Sequence, residues 1–209
     1  GTDRGKLVYK TNPQIKKAWN TTVKALNSGI GARLGQFTSD WNIGMNKGAM
    51  ATILAPAWML DYIKKQAPDT RGKWDIADLP VGGGNQGGTQ LGIPSYSKNK
   101  QAAFDFLTWY LAPEQQLKVF KTYGLFPSAS VLYDDAALLE YKDEFFSNAP
   151  VGQIYTKGVL KLKPIFEGEL QRKIDSTFGA GLGRVASKKM DSKKSYKLVI
   201  SDIDKLFRN

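Results

Sequence analysis

The stretch VGGGNQGGTQLGIP, Val81 to Pro94, places five glycines within seven residues. Gly82, Gly84 and Gly87 satisfy the pattern G-x-G-x-x-G, so the reading of this stretch decides the fold. A dinucleotide-binding loop needs a strand before the glycines and a helix directly after them, because the helix N-terminus holds the pyrophosphate. Thr-Gln-Leu-Gly-Ile-Pro follows Gly88, a strand-like run closed by proline. No helix can start where the phosphate would sit. A phosphate loop of the other common kind needs G-K-[ST], and Gly87-Gly88-Thr89 carries no lysine. Two readings stay open. The loop is a pliable connection between strands, or it is a surface whose backbone groups, with Asn85, Gln86 and Thr89, hydrogen-bond a hydroxyl-bearing ligand.

Outward from the loop, KWDIADLP (73–80) precedes it as a strand, and AMATILAP (49–56) reads as an earlier buried strand closed by Pro56. TQLGIP (89–94) is a third. Helices surround them. Asn12-Pro13 is a cap followed by a first-turn proline, and Ile15, Ala18, Trp19, Thr22, Val23 and Leu26 share one face, which makes Trp19 core. Ser39 caps a short helix ending at Gly48, and AWMLDYIKKQAP returns to helical spacing. Ser97 caps a helix with Ala103, Phe106, Leu107 and Tyr110 inward and Trp109 as packing. Pro113 starts another, ended by Gly124. Shorter helical stretches are expected near 134–147 and 151–162. A long helix from near Gly168 is weakened by Gly179, Gly181 and Gly183 at roughly 1 kcal/mol each. The last helix, capped by Asp191 or Ser192, carries a stripe of Tyr196, Val199, Ile200, Ile203 and Leu206. The pattern predicts an α/β chain with a helical C-terminal half.

The chain has no cysteine and no histidine, which removes disulfides, thiolate nucleophiles, His-based triads and most transition-metal sites. No metal and no cofactor is expected. The acid pairs Asp134-Asp135 and Asp143-Glu144 lie in polar stretches expected to be exposed. Adjacent side chains diverge, so neither pair builds a two-carboxylate hydrolase site, and an enzyme is not expected. The net charge of +11 would suit an anionic partner, but the lysines are scattered and read as a solvated face, without nucleic acid as partner. No apolar run approaches the roughly 18 residues of a membrane span. The opening GTDRGKLVYKTNPQ reads as an interior start, that of a processed or truncated piece.

The order of motifs then matters more than any one of them. WNIGMNKGAMATILAPAWMLDYIKK, GKWDIADLPVGGGNQGG and GIPSYSKNKQAAFDFLTWYLAPEQQLKVFKTYGLFPSAS resemble, in that order, the family-1 extracellular solute-binding proteins of ABC importers, the maltose-binding-protein-like family. KGAMATILAPAWM is similar to the family's G-x-A-A-M strand and its following tryptophan. FFSNAPVGQIYTKGVLKLKPIF looks closest to the cellobiose or oligosaccharide binders of actinobacteria. The resemblance implies a periplasmic-binding-protein-like fold of type II. This chain would hold most of the C-terminal lobe, at 1–88 and 128–209, with the segment 89–127 belonging to the N-terminal lobe.

The resemblance implies capture of a carbohydrate, an oligosaccharide, by a monomer that docks on a membrane permease. The protein would be extracellular, a cell-surface lipoprotein, or periplasmic. A binder of the same fold for a peptide or polyol, and a glycosidase-like enzyme, are the alternatives. Sugars offer apolar C–H faces and hydroxyl rims, which aromatic rings and polar side chains meet respectively. Trp58, after Pro56 at a strand end, is the first stacking candidate. Trp41 is balanced between core and site, and Trp74 is core. Gly87 and Gly88 allow close backbone approach, with Asn85, Gln86 and Thr89 as polar contacts. Relatives of this family often carry an aromatic residue where this chain has Gln86, which leaves one stacking contact unprovided. Phe166 resembles a cleft-facing position, and Asp40 and Glu169 are candidate hydroxyl acceptors.

Overall fold

A computed structural model describes residues 2–3, 6–80, 83–84, 86–163 and 167–207. In chain order, β1 (Thr2–Asp3) and β2 (Lys6–Leu7) precede α1 (Pro13–Asn27), α2 (Ser39–Asn46) and α3 (Met59–Gln66). Then come α4 (Lys100–Tyr110), α5 (Pro113–Tyr123), α6 (Ala136–Leu139), α7 (Val151–Val159), α8 (Gln171–Ala186) and α9 (Ser192–Leu206). They form two compact units, one of Gly1–Arg33 with Lys163–Asn209 and one of Leu34–Leu162.

In the first unit β1 and β2 pair antiparallel, Thr2 opposite Leu7. The caps of its helices follow from local sequence. Asn12 accepts from the Gln14 amide at 2.9 Å to start α1, and Asp191 accepts from the Lys194 amide at 2.9 Å to start α9. The apolar stripes of α1, α8 and α9 meet in a core of Trp19, Val23, Ile174, Val185, Val199 and Ile203. Trp19 is 3% exposed, as its spacing predicts. Its indole N–H donates to Ser192 Oγ at 3.0 Å. Tyr9 seals one end. Burial, helped by its hydrogen bond to Asp204, pushes the Tyr9 hydroxyl up to about 12.

Of the three glycines in α8, only Gly181 is needed for packing. A Cβ there would stand 2.3 Å from Val199 Cγ2 and 3.1 Å from the Trp19 ring. Ser195 on α9, fully buried, donates to the Gly181 carbonyl at 2.8 Å across the same close approach. A Cβ on Gly179 or Gly183 would meet nothing within 4 Å.

The second unit packs α2, α3, α5, α6 and α7 around Met45, Met59, Ile63, Phe120, Leu138, Phe146 and Val151. Gly124, at φ +70°, ends α5 as the sequence predicts. Asp135 caps α6 through the Ala137 amide at 2.7 Å. The pair Asp143-Glu144 diverges as expected, but Asp143 is buried rather than exposed. It takes Lys64 at 2.6 Å and the Phe145 amide at 3.0 Å, while Glu144 turns outward to Arg71 at 2.7 Å. A carboxylate with a cation and an amide in reach tolerates burial.

The three expected strands differ. Residues 49–56, 73–80 and 89–94 carry no ladder among the described residues, where the only sheet is the β1–β2 pair. A strand is defined by its neighbour, and these segments find none among the described residues. Leu54 stays 77% exposed and Leu91 47%. Of the expected α/β pattern the described residues therefore carry the helices. The α4 face also differs. Ala103 and Leu107 are half-buried, but Phe104, Phe106, Trp109 and Tyr110 are exposed, and α4 buries no residue fully.

Gly181→Ala should lower stability by about 1–2 kcal/mol net, since overpacking outweighs the gain in helix propensity. Gly179→Ala and Gly183→Ala should raise stability by up to about 1 kcal/mol each. Urea unfolding of the three variants checks both signs.

Candidate functional site

Thr38 rather than Ser39 caps α2, its hydroxyl oxygen accepting from the Trp41 amide at 3.3 Å. That start sets the helix phase, turning Trp41 inward and leaving Asp40 exposed. Trp41 is 6% exposed, so its own ring faces are packing surface. It lies 5.5 Å from the Phe37 ring centre and 5.9 Å from Tyr62. Tyr62, on α3, donates its hydroxyl to Asn42 Oδ1 at 2.9 Å, tying α3 to α2.

Trp58 stands immediately before α3, following the extended segment that ends at Pro56. It is partly buried, with one side packed on the core of the second unit. Its indole N–H donates to the Gln86 carbonyl at 2.9 Å. That bond attaches the glycine loop to the head of α3 across 28 residues of sequence. Gly87 follows at φ +85°, and a Cβ there would sit 3.6 Å from the Trp58 nitrogen. The backbone conformation, more than lack of space, is what favours glycine at this position.

The loop is held at its other end too. Gly83 lies against Gly158 of α7, where a Cβ would come 2.8 Å from the Gly158 carbonyl oxygen. Asp78, just upstream, pairs with Lys157 at 3.1 Å and Lys161 at 3.5 Å. The Lys157 hydrogen bond, with the Lys161 charge, holds the Asp78 carboxyl below the usual aspartate range. The loop is therefore pinned at both ends. Gln86, Gly87, Gly88 and Thr89 are all exposed between Trp58 and the next segment.

Phe37 completes this surface and was not legible as a site residue. It adopts φ +66°, a left-handed conformation uncommon for a bulky side chain, and remains 46% exposed. Its ring lies 6.1 Å from Trp58, 5.5 Å from Trp41 and 5.3 Å from Tyr62. The available signal was its place one residue before the Thr38 cap, where an apolar side chain often folds back on the first turn.

The remaining expected residues are placed less closely. Asn85 and Phe166 lie outside the described residues. Glu169 is exposed and belongs to the first unit, just ahead of α8. Trp74, expected in the core, is half-buried against it and donates to Thr70 Oγ1 at 2.8 Å. The surface at Trp58 is open. Hollows of about 470 and 310 Å³ lie along α1 and beside α2, and neither is lined by Trp58. Among the described residues no group of three or more His, Cys, Asp or Glu could hold a metal ion. No helix among them is long and apolar enough to cross a membrane. Chemically, a fixed indole beside a glycine-rich polar edge can cover an apolar face and bind adjacent hydroxyls. Because Gln86 takes the indole N–H, what remains of the half-buried Trp58 for a ligand is its ring.

Comparison with known proteins places this chain in a family. The profile of the bacterial extracellular solute-binding proteins matches residues 2–146, and the chain belongs to that family. A curated relative is the arabinooligosaccharide-binding protein of Bacillus subtilis (strain 168), 26% identical over 179 residues, covering 78% of this chain and 40% of the relative. A solved extracellular solute-binding protein of family 1 is 33% identical with a TM-score of 0.84, over 97% of this chain and 52% of that one. The ABC transporter associated binding protein from B. animalis subsp. lactis Bl-04, solved in complex with β-1,6-galactobiose, is 20% identical with a TM-score of 0.75. It is covered to 51% by 92% of this chain. The chain thus has the fold of about half of these solute-binding proteins, and spans less of the curated relative.

Trp58→Phe removes the indole N–H and keeps an aromatic ring. One hydrogen bond is worth about 0.5–1.5 kcal/mol, so the global midpoint should barely move. Amide exchange across 86–89 should quicken several-fold, read by hydrogen-exchange mass spectrometry.

Proposed function

We propose that this chain is the larger part of the C-terminal lobe of a carbohydrate-capture protein serving an ABC importer, with an oligosaccharide as ligand. The observation that carries the reading is the Trp58 indole, held by the Gln86 carbonyl at 2.9 Å and flanked by the half-exposed Phe37. A locked indole face suits the C–H face of a sugar ring at low conformational cost. Gln86, Thr89 and Asp40 would supply the rim contacts, with Asn85 beside them. Gly87 and Gly88 would let the backbone approach the sugar. Trp41 would act from behind, fixing Phe37 and Tyr62. The relatives named for arabinooligosaccharide and solved with galactobiose support the sugar class.

The segment 89–127 would cross to the other lobe. The exposed Phe104, Phe106 and Trp109 on α4 and the unladdered run through Leu91 favour a covering element from the part of the relatives that this chain does not span. Sugar would bridge the lobes, the closed form would dock on a membrane permease, and the protein would bind without chemistry. Such a protein works as an extracellular or periplasmic monomer, and a lipid anchor would suit it.

Calorimetric titration of the full-length protein with arabino-, galacto-, cello-, malto- and xylo-oligosaccharides tests this. Binding of one class is expected, with Trp58→Ala weakening it about 30-fold or more, the scale of an aromatic anchor. Binding of a peptide or polyol alone would assign a different solute. Release of reducing ends would make the protein an enzyme.

A further inference from the structure

The charge of this protein is divided unevenly between its two units. The first unit holds 18 of the 30 lysines and arginines and 7 of the 19 acids, so the whole excess of +11 lies there. The second unit holds 12 of each and is neutral. Pairing follows the same division. In the second unit Lys64, Lys65, Arg71, Lys157 and Lys161 all meet carboxylates. In the first, α1 carries Lys16, Lys17 and Lys24 without an acid in the helix, and none of the three has an ion pair among the described residues.

These lysines share a face with those of α9. Lys16 Nζ lies 3.6 Å from the centre of the Tyr196 ring, and Trp19 reaches Ser192. On α9 Lys193 lies one turn before Tyr196 on the same side of the helix, and Lys197 follows on the adjoining side. Along α1 an open hollow of about 470 Å³ is lined by Pro13, Lys16, Lys17, Asn20, Thr21 and Lys24. α1 therefore lines a shallow hollow with three ammonium groups and with hydroxyl and amide groups, no carboxylate among the lining residues, and α9 adds Lys193 and Lys197 on the helix that Lys16 touches.

We propose that the α1–α9 lysine face is a docking surface for the anionic headgroups of a phospholipid bilayer. Mobile ammonium groups suit a plane of phosphates better than a shaped ligand, which would need fixed forks or a closed pocket. A single-stranded nucleic acid would call for rings to stack bases, and among the described residues no ring is exposed beside these lysines. Phe207, the large aromatic exposed in this unit, stacks on Tyr9 instead. None of these lysines belongs to the second unit, which holds Trp58, so the inference stands whether or not a sugar is the solute.

The test is co-sedimentation of the full-length protein with phosphatidylcholine vesicles containing increasing phosphatidylglycerol. Bound fraction should rise with the anionic lipid and fall as salt goes from about 0.1 M to about 1 M, where the screening length shrinks from roughly 10 to 3 Å. Replacing Lys16, Lys17, Lys24, Lys193 and Lys197 by Gln should weaken binding at least tenfold. The triple change of Lys17, Lys24 and Lys193 spares the Lys16–Tyr196 contact and should still lose several-fold. Replacing Lys47, Lys98 and Lys121 of the second unit by Gln should change nothing. Equal binding to pure phosphatidylcholine, unchanged binding of both lysine variants, or retention on DNA without retention on vesicles would overturn the proposal.

Discussion

One hydrogen bond organises the candidate site, that from the Trp58 indole to the Gln86 carbonyl. Without it a glycine-rich run would sample many conformations, since glycine loses the most backbone freedom on ordering. With it, and with Gly83 set against Gly158, the polar edge and the aromatic face keep a fixed relation. The same bond uses up the only polar atom of the indole, so a ligand at Trp58 would meet its ring. Trp41 and Tyr62 hold Phe37 in a backbone conformation that a bulky residue rarely adopts, and that constraint keeps a second ring exposed beside the first.

The exposed apolar residues belong to the same picture. Leu54, Leu91, Phe104, Phe106 and Trp109 sit on segments that are extended without a ladder or helical without a covering face. A lone apolar side chain at a surface needs no explanation, but a row of them on one helix with unpaired extended chain nearby does. The chain spans about half the length of the solved relatives.

What the sequence made legible was local. Asn12, Asp191 and Gly124 act within a turn of their helices, and the stripes of α1 and α9 repeat within a few residues, so these elements were readable. The test applied to the loop, a helix directly after it, lies only a few residues away, and the described residues carry none between Gly88 and α4. Strand pairing is different. Segments 49–56, 73–80 and 89–94 have strand composition, but a ladder depends on a neighbour distant in sequence. Asp143 was read as exposed because Lys64, its partner, is 79 positions upstream. Phe37 escaped notice because its exposure depends on rings 4, 21 and 25 positions away. Gln86 entered the site through its carbonyl, a role no side-chain reading reveals.

In the proposed function the face of Trp58 is the floor of an oligosaccharide site. A crystal structure of the full-length protein with a bound oligosaccharide tests it most directly. The account predicts a sugar ring lying over the indole in van der Waals contact, at about 4 Å, with the Trp58–Gln86 hydrogen bond intact. A sugar bound elsewhere, with that face bare or covered by protein, would contradict it.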